Sequence, residues 1–309
     1  MPDHEYVIRN YSHENIDEFI DFCRITEVFG TRDRAFLFSY IEKKFRRPHY
    51  DPEKDMFLAF WRDRIVGFFD MTPELRIGRV ILDGLVHPSH REKGVGKQMI
   101  QHALRRAERL GAEIIHVCVP EKRKAAGAIL EKWGFHPVRR FLNLEIDIPI
   151  MLAQVPVHSD VLLRYLRKGE EEQLAVVQNT CFSGTWGFCP NTVKEIGFYL
   201  EWTDSQVEDV IVAESKQEWN LIGYCWPHRV RTRSDSPKKG RIHMFGVIPS
   251  YRGKGVGRRL LIRGLQHLKE KEAQCVELTV DEENNPALSL YEHLGFKTYA
   301  SLLWYERKL

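Results

Sequence analysis

Two stretches of this sequence are near copies of each other. Val86-His-Pro-Ser-His-Arg-Glu-Lys-Gly-Val-Gly96 and Val247-Ile-Pro-Ser-Tyr-Arg-Gly-Lys-Gly-Val-Gly257 agree at eight of eleven positions, 161 residues apart. The register continues without a gap, so that Trp133-Gly134-Phe135 falls on Leu294-Gly295-Phe296. A period this long is not a solenoid unit; it marks a duplicated domain. The 309 residues accommodate two domains of about 150 residues each. The expected division is residues 1–150, a linker over 151–161 that carries a proline and no clear period, and residues 162–309.

Each copy of the repeat reads as strand, glycine turn and helix. The apolar run 242–247 ends before a proline, and the residues from Val256 place Val256, Leu260, Leu261, Leu265 and Leu268 at helical spacing. The first copy does the same with Val95, Met99, Ile100, Ala103, Leu104, Ala107 and Leu110, and Gly111 stops that helix. The N–H groups at the start of such a helix are unpaired and point the same way, at the positive end of its dipole. A glycine-spaced turn feeding them is a cradle for an anion, phosphate above all. Arg252, Lys254, Arg258 and Arg259 add positive charge around the second copy.

The remaining periodicities repeat in the same order in both halves. In the first, a strand at 6–10 precedes helices over 14–25 and 34–46, strands over 55–61, 65–71 and 79–86, the turn and its helix, a strand over 114–119, a helix over 124–133 and a closing pair of strands over 135–148. In the second, strands over 162–165, 209–213, 220–226 and 242–247, a helix over 170–179, a strand over 274–280, a helix over 286–293 and closing strands over 296–306 follow suit. Asn285 before Pro286 reads as a helix cap. The expected fold class is mixed α/β (α+β), each half a mostly antiparallel sheet with helices on both faces. The turns lack the third glycine of a dinucleotide fingerprint and the G-K-[ST] of a nucleotide P-loop.

Charge and cysteine usage exclude other classes. Forty-six basic against 43 acidic residues give too small an excess to indicate a nucleic-acid partner, and the basic run over 229–241 reads as a solvated hairpin loop. No apolar run approaches a membrane span, and the polar first residues do not read as a signal peptide. Six scattered cysteines without a C-x-x-C pair, and histidines without ligand spacing, read as free thiols in the cytoplasm and no metal site.

The pattern V-x-P-x-[HY]-R-x-K-G-V-G at the end of a strand resembles the acetyl-CoA signature of the GNAT acyltransferase superfamily. Both copies carry its R-x-x-G-x-G turn, as Arg91-x-x-Gly94-x-Gly96 and Arg252-x-x-Gly255-x-Gly257. Downstream, the run from Leu278 through Asn284, Ala287 and Tyr291 to Gly295-Phe296 is similar to that family's second motif. Two copies in one chain resemble the tandem-GNAT arrangement of mycothiol synthase and its relatives, and Trp186-Gly-Phe188-Cys-Pro190 is similar to a W-G-F-x-P element found there.

The resemblance implies direct transfer of an acetyl group from acetyl-CoA to a small amine, without metal and without a covalent enzyme intermediate. It implies a sheet that splays beside the V-x-P strand, with the backbone at Phe245 and Val247 bonding the thioester oxygen and the pantetheine. One oxyanion donor of that kind contributes about 3–4 kcal/mol. The turn residues Arg252, Gly253, Lys254, Gly255, Val256, Gly257 and Arg258 would hold the pyrophosphate, as would Arg91, Gly94 and Gly96 in the first half. Asn284 would touch the cofactor, and Trp186 and Phe188 would line the acceptor pocket. Tyr291 occupies the position of the family's general acid; its counterpart at the repeat spacing is Leu130, and that of Asn284 is Arg123. Transfer is therefore expected in the C-terminal half, with the first half a structural or cofactor-holding copy.

A phenol near pKa 10 is a weaker acid than a thiol near 8.5, so Tyr291 is better described as a hydrogen-bond donor to the leaving sulfur. For the base, counting back four from Val247 reaches His243, which shares a strand face with Arg241 and Phe245. Histidine has a suitable pKa for the task; Glu214 and the acids over Asp281–Glu283 are alternatives. The expected state is a monomer or homodimer. The rival reading is a non-catalytic acetyl-CoA-binding scaffold, which thioester cleavage stimulated by an acceptor would separate from an enzyme.

Overall fold

Apolar alternation along the strands decides the layering. The computed structural model describes residues 6–148, 160–218, 220–230 and 238–309, and the expected linker lies almost wholly outside them. The first half runs β1 (Val7–Asn10), α1 (Ile16–Thr26), α2 (Arg34–Phe45), α3 (Pro52–Asp55), β2 (Met56–Trp61), β3 (Arg64–Glu74), β4 (Arg79–Val86), α4 (Val95–Arg109), β5 (Ile114–Pro120), α5 (Lys124–Lys132) and β6 (His136–Asp147). The second runs β7 (Val161–Tyr165), α6 (Glu171–Phe182), α7 (Val193–Trp202), β8 (Ile211–Ser215), β9 (Leu221–Val230), β10 (Lys239–Val247), α8 (Val256–Glu270), β11 (Cys275–Asp281), α9 (Asn285–Leu294) and β12 (Lys297–Lys308).

Successive residues of a strand point to opposite faces, and here they enter different cores. In β2, Phe57 and Ala59 join α4 and α5, while Leu58 and Phe60 join α1 and α2. In β9, Cys225 joins α8 while its neighbours Tyr224 and Trp226 join α6; Ile222 also joins α8 because the β8–β9 register shifts there. The strands of each unit are thus covered on both faces by helices of that unit. Burying Leu260, Leu261, Leu265 and Leu268 of α8, each at most 2% exposed, contributes about 1.5–3 kcal/mol per side chain.

The chain forms two compact units. The first comprises Met1–Val119, Arg123–Val138 and Leu303–Leu309; the second comprises Pro120–Lys122 and Arg139–Leu302. The expected halves differ from these units at their closing strands. Where a pair of strands was expected at the end of each half, β6 and β12 are single strands of twelve residues. Neither contains a glycine to turn the chain. Residues 139–147 of β6 count with the second unit, where Cys275–Asp281 of β11 pair antiparallel with Phe141–Asp147. Leu303–Leu309 count with the first, where Tyr305 enters the α4–α5 core.

Candidate functional site

The site of the second unit begins where two parallel strands part. β10 pairs with β11 only over Lys239–Arg241, although β10 continues to Val247 and β11 to Asp281. On its other side β10 stays paired with β9 to Val247. The amide of Ile248 donates to Ile222 O on the β9 side. By the two-residue period, the main-chain groups of Phe245 and Val247 face the other edge, where no ladder partner follows. The Val247 carbonyl is taken by Arg252 Nε at 2.9 Å, leaving the edge amides for an incoming chain. The first unit repeats this arrangement: β4 and β5 pair only from Arg79↔Ile114 to Ile81↔His116, and Arg91 Nε donates to Val86 O at 3.1 Å.

The glycines of the turn serve two different purposes. Gly255 caps α8 with φ 77°, and Gly253 has φ 75°; a Cβ on either would meet nothing within 4 Å. Both hold left-handed backbone, which glycine adopts without strain, and both leave the helix entrance open. Gly257 instead lies against the sheet, where a Cβ would stand 3.3 Å from Phe245 Cζ. It permits close packing of α8 on β10. The Arg252 guanidinium donates to the Val247 and Cys181 carbonyls, which makes it a brace of the turn. Lys254 lies over the Tyr251 ring at 4.9 Å, and Arg258 is exposed on the first turn of α8.

Tyr291 comes from α9 and is 6% exposed, its ring 6.3 Å from Phe245 and 5.7 Å from Phe296. Burial pushes its hydroxyl pKa above the ordinary tyrosine value, so it remains a proton donor throughout the neutral range. No hydrogen-bond partner holds that hydroxyl among the described residues. Asn284 caps α9, its Oδ1 accepting from Ala287 N at 3.3 Å, which places the cap one residue before the expected Asn285.

His243 does not share a strand face with Phe245. The β9–β10 register shifts between Ile242 and Met244, so His243 is the extra residue of a β-bulge. Ile242 and Phe245 pack with the α8 core, whereas Met244 packs with the α6 core. The imidazole lies among Tyr199, Trp226 and His228, with ring centroids 5.3, 5.5 and 6.0 Å away. Its Nε2 is sealed from solvent without a hydrogen-bond partner. Burial, then His228 and Arg241, lower its pKa to about 3.

Trp186 and Phe188 follow α6 but part company. Trp186 lies 6.0 Å from the Phe141 ring, with the Arg139 guanidinium 6.0 Å from its own ring; Phe188 stacks on Phe182 at 5.2 Å. Arg139 in turn bonds Asp281 through both carboxylate oxygens, at 2.9 and 3.0 Å. Glu214 is bound to Arg164, which also holds Glu170, so it belongs to a structural network. Three contributors were not foreseen. Tyr199 sits on α7, a helix announced by the capping box of Thr192 and Glu195; Arg139 and Phe141 come from β6, which carries no local sign that it would serve the second unit.

All six cysteines are free thiols. Among the described residues no cluster of three or more potential ligands could hold a metal, and no helix is long and apolar enough to cross a membrane.

The family model described as Acetyltransferase (GNAT) family matches twice, at residues 19–135 and 172–296. Among curated proteins, a mycothiol acetyltransferase of Arthrobacter sp. (strain FB24) is 26% identical over 265 residues, covering 84% of this chain and 79% of the relative. One from Mycobacteroides abscessus is 30% identical over 218 residues, 69% of each chain. Among solved structures, a GCN5-related N-acetyltransferase from Sphaerobacter thermophilus superimposes with TM-score 0.74 at 19% identity, over 100% of this chain and 96% of the other. A tandem GNAT protein from the clavulanic acid biosynthesis pathway gives 0.72 at 17%, over 98% of both.

Proposed function

Because the chain belongs to the GNAT acetyltransferase family, with two such domains in tandem, and is an N-acetyltransferase, we propose that its C-terminal unit transfers acetyl from acetyl-CoA to the amine of a small-molecule or peptide acceptor. The observation that carries this reading is the splay of β10 from β11. It leaves strand-edge amides at Phe245 and Val247 beside a glycine-capped helix entrance, with a buried tyrosine next to Phe245.

Acetyl-CoA would supply an activated acetyl thioester. The open, left-handed turn at Gly253 and Gly255 presents the first amides of α8 to a pyrophosphate, with Lys254 and Arg258 adding charge. Arg91, Gly94 and Gly96 offer the corresponding turn of the first unit. Val256 and Gly257 seat α8 against the sheet, and Asn284 fixes the start of α9. The amides of Phe245 and Val247 stabilise negative charge on an oxygen placed at the strand edge. Tyr291 keeps its proton and donates a hydrogen bond that strengthens as the leaving sulfur gains charge.

An alkylammonium near pKa 10 must lose a proton before it attacks. His243 is held neutral by its burial and its Nε2 is closed to solvent, so it accepts a hydrogen bond from the amine only where acceptor binding opens the nest of rings around it. It cannot store that proton at neutral pH, which passes on to solvent. Trp186, Phe141 and Tyr199 supply apolar faces for the acceptor.

The test is release of CoA thiol from acetyl-CoA with a panel of small amines, followed by mass measurement of the products. Acceptor-dependent release that Tyr291→Phe reduces supports the reading. Binding of acetyl-CoA with no acceptor-stimulated release would instead support a scaffold. A His243→Ala variant with unchanged rate and pH profile removes the role given to that residue.

A further inference from the structure

The first unit lacks the buried tyrosine, since Leu130 stands in its place, but it carries acid–base chemistry that the second unit does not. β4 keeps an unbroken register with β3, and in that register Asp70 and Asp83 are direct cross-strand partners. Side chains so paired lie about 5 Å apart at Cβ, and like charges there repel. The two carboxylates are treated very differently. Asp70 is 3% exposed, forms an ion pair with Lys44 of α2 and accepts a hydrogen bond from Tyr50 at 2.8 Å. Asp83 accepts only from the neighbouring Gly84 amide, at 2.7 Å, and has no side-chain partner among the described residues.

Asp83 also stands two residues beyond the last rung between β4 and β5, at the mouth of the splay. At the repeat spacing its counterpart is Met244, so β10 has no carboxylate there. The groups facing it are Lys44 and Tyr40 from α2, Asp70 from β3, Cys118 from β5 and Arg123 before α5. Water reaches the Asp83 side chain, but protein crowds the carboxyl on most sides. This lost hydration raises its pKa above the ordinary carboxylate range; Lys44 opposes the rise and Asp70 adds to it. Paired carboxylates whose environments separate their affinities for a proton are an established arrangement for acid–base work.

We propose that the N-terminal unit is a second acetyl-transfer centre, in which the Asp83 carboxylate takes the proton of a cationic amine acceptor at the β4–β5 splay. This rests on the reading of the chain as an acetyl-CoA-dependent enzyme. The ammonium gives one proton to Asp83, and the amine nitrogen then forms a bond to the acetyl carbon. The carbon–sulfur bond breaks with its electron pair on sulfur, the second nitrogen proton leaves to solvent, and Asp83 returns its proton to solvent. A thiol near pKa 8.5 departs as thiolate without a donor, so the absence of a tyrosine slows this centre without disabling it.

The experiment uses the full chain in three forms: wild type, Gly255→Val, and Gly255→Val with Asp83→Asn. Acetylated product is measured with acetyl-CoA and the amine panel. Gly255→Val blocks the second unit's turn and is expected to leave a residual activity. Adding Asp83→Asn should lower the residual kcat about 100-fold with KM for acetyl-CoA unchanged, and Asp83→Glu should restore part of it. Adding Gly94→Val should remove it. Asp83→Asn relieves repulsion from Asp70, so the melting temperature should not fall and unfolding cannot explain the loss. If Gly255→Val does not fold, the same series on Tyr291→Phe takes its place. The proposal is overturned if disabling the second unit abolishes all product, or if the residual activity ignores Asp83→Asn. A wild-type chain that acetylates none of the amines overturns the proposed function as well, which separates the two failures.

Discussion

β4 and β10 occupy the same place in their units, end in the same Val-x-Pro and feed nearly identical turns, yet they differ by one inserted residue of pairing. β4 runs in continuous register with β3, which sets Asp83 across from Asp70. β10 bulges at His243, which drops the imidazole into an aromatic nest and returns Phe245 to the α8 side. A single bulge thus changes which chemical group reaches the splay while the glycine turn stays intact. Duplicated turns need not carry duplicated reactive groups.

That contrast can be broken or sharpened by experiment. The largest effect is expected from deleting 303–309, which removes Leu303 and Tyr305 from the α4–α5 core. With about 1.5–3 kcal/mol for each buried side chain and the lost ladder besides, the first unit should lose about 5 kcal/mol or more. Hydrogen exchange should then show β4, β5 and α4 deprotected while β8 and β9 stay protected. Equal loss in both units would contradict the division of residues described above.

Next is acid stability. The His243 pKa falls from 6.5 to about 3 on folding, so between these values the unfolded chain binds a proton that the folded chain refuses. Stability from this group is complete above pH 6.5 and is lost as pH falls towards 3, by an amount on the order of a few kcal/mol. In His243→Phe the melting temperature of the second unit should depend less on pH across that window; an unaltered dependence refutes the burial of a neutral imidazole.

Tyr291→Phe should reduce turnover about 100-fold, near 2.7 kcal/mol, with little change in melting temperature because the ring is retained. Leu130→Tyr in the first unit tests the converse and should raise its residual rate. The smallest effect concerns the turns themselves. Gly253 at φ 75° is matched by Glu92 at φ 63°, and a side chain there costs about 1 kcal/mol. Glu92→Gly should stabilise the first unit by about that amount, and Gly253→Glu should destabilise the second similarly, in calorimetry of each transition.

Much of this was legible in the sequence because it is written locally. Helix stripes, the V-x-P strand ends and the glycine turn each depend on residues within a few positions, and the duplication and fold class followed from them. The α7 helix was missed although Thr192 and Glu195 form its capping box. The face of His243 was misjudged because period-two counting holds only for a regular ladder, and a bulge is decided by the partner strand. Asp83 passed unnoticed because its significance comes from Asp70, thirteen residues away across a hairpin. The services of Arg139 and Phe141 to the second unit are decided by pairing with β11, more than a hundred residues downstream.

The closing segment of the first unit has a consequence for how the protein is made. Leu303–Leu309 lie downstream of every residue of the second unit, so a ribosome delivers them only after the whole second unit has been synthesised. Domains usually fold as they emerge, the N-terminal one first. Here the unit whose synthesis starts first is completed last, and until then the edge of β5 waits for its final strand.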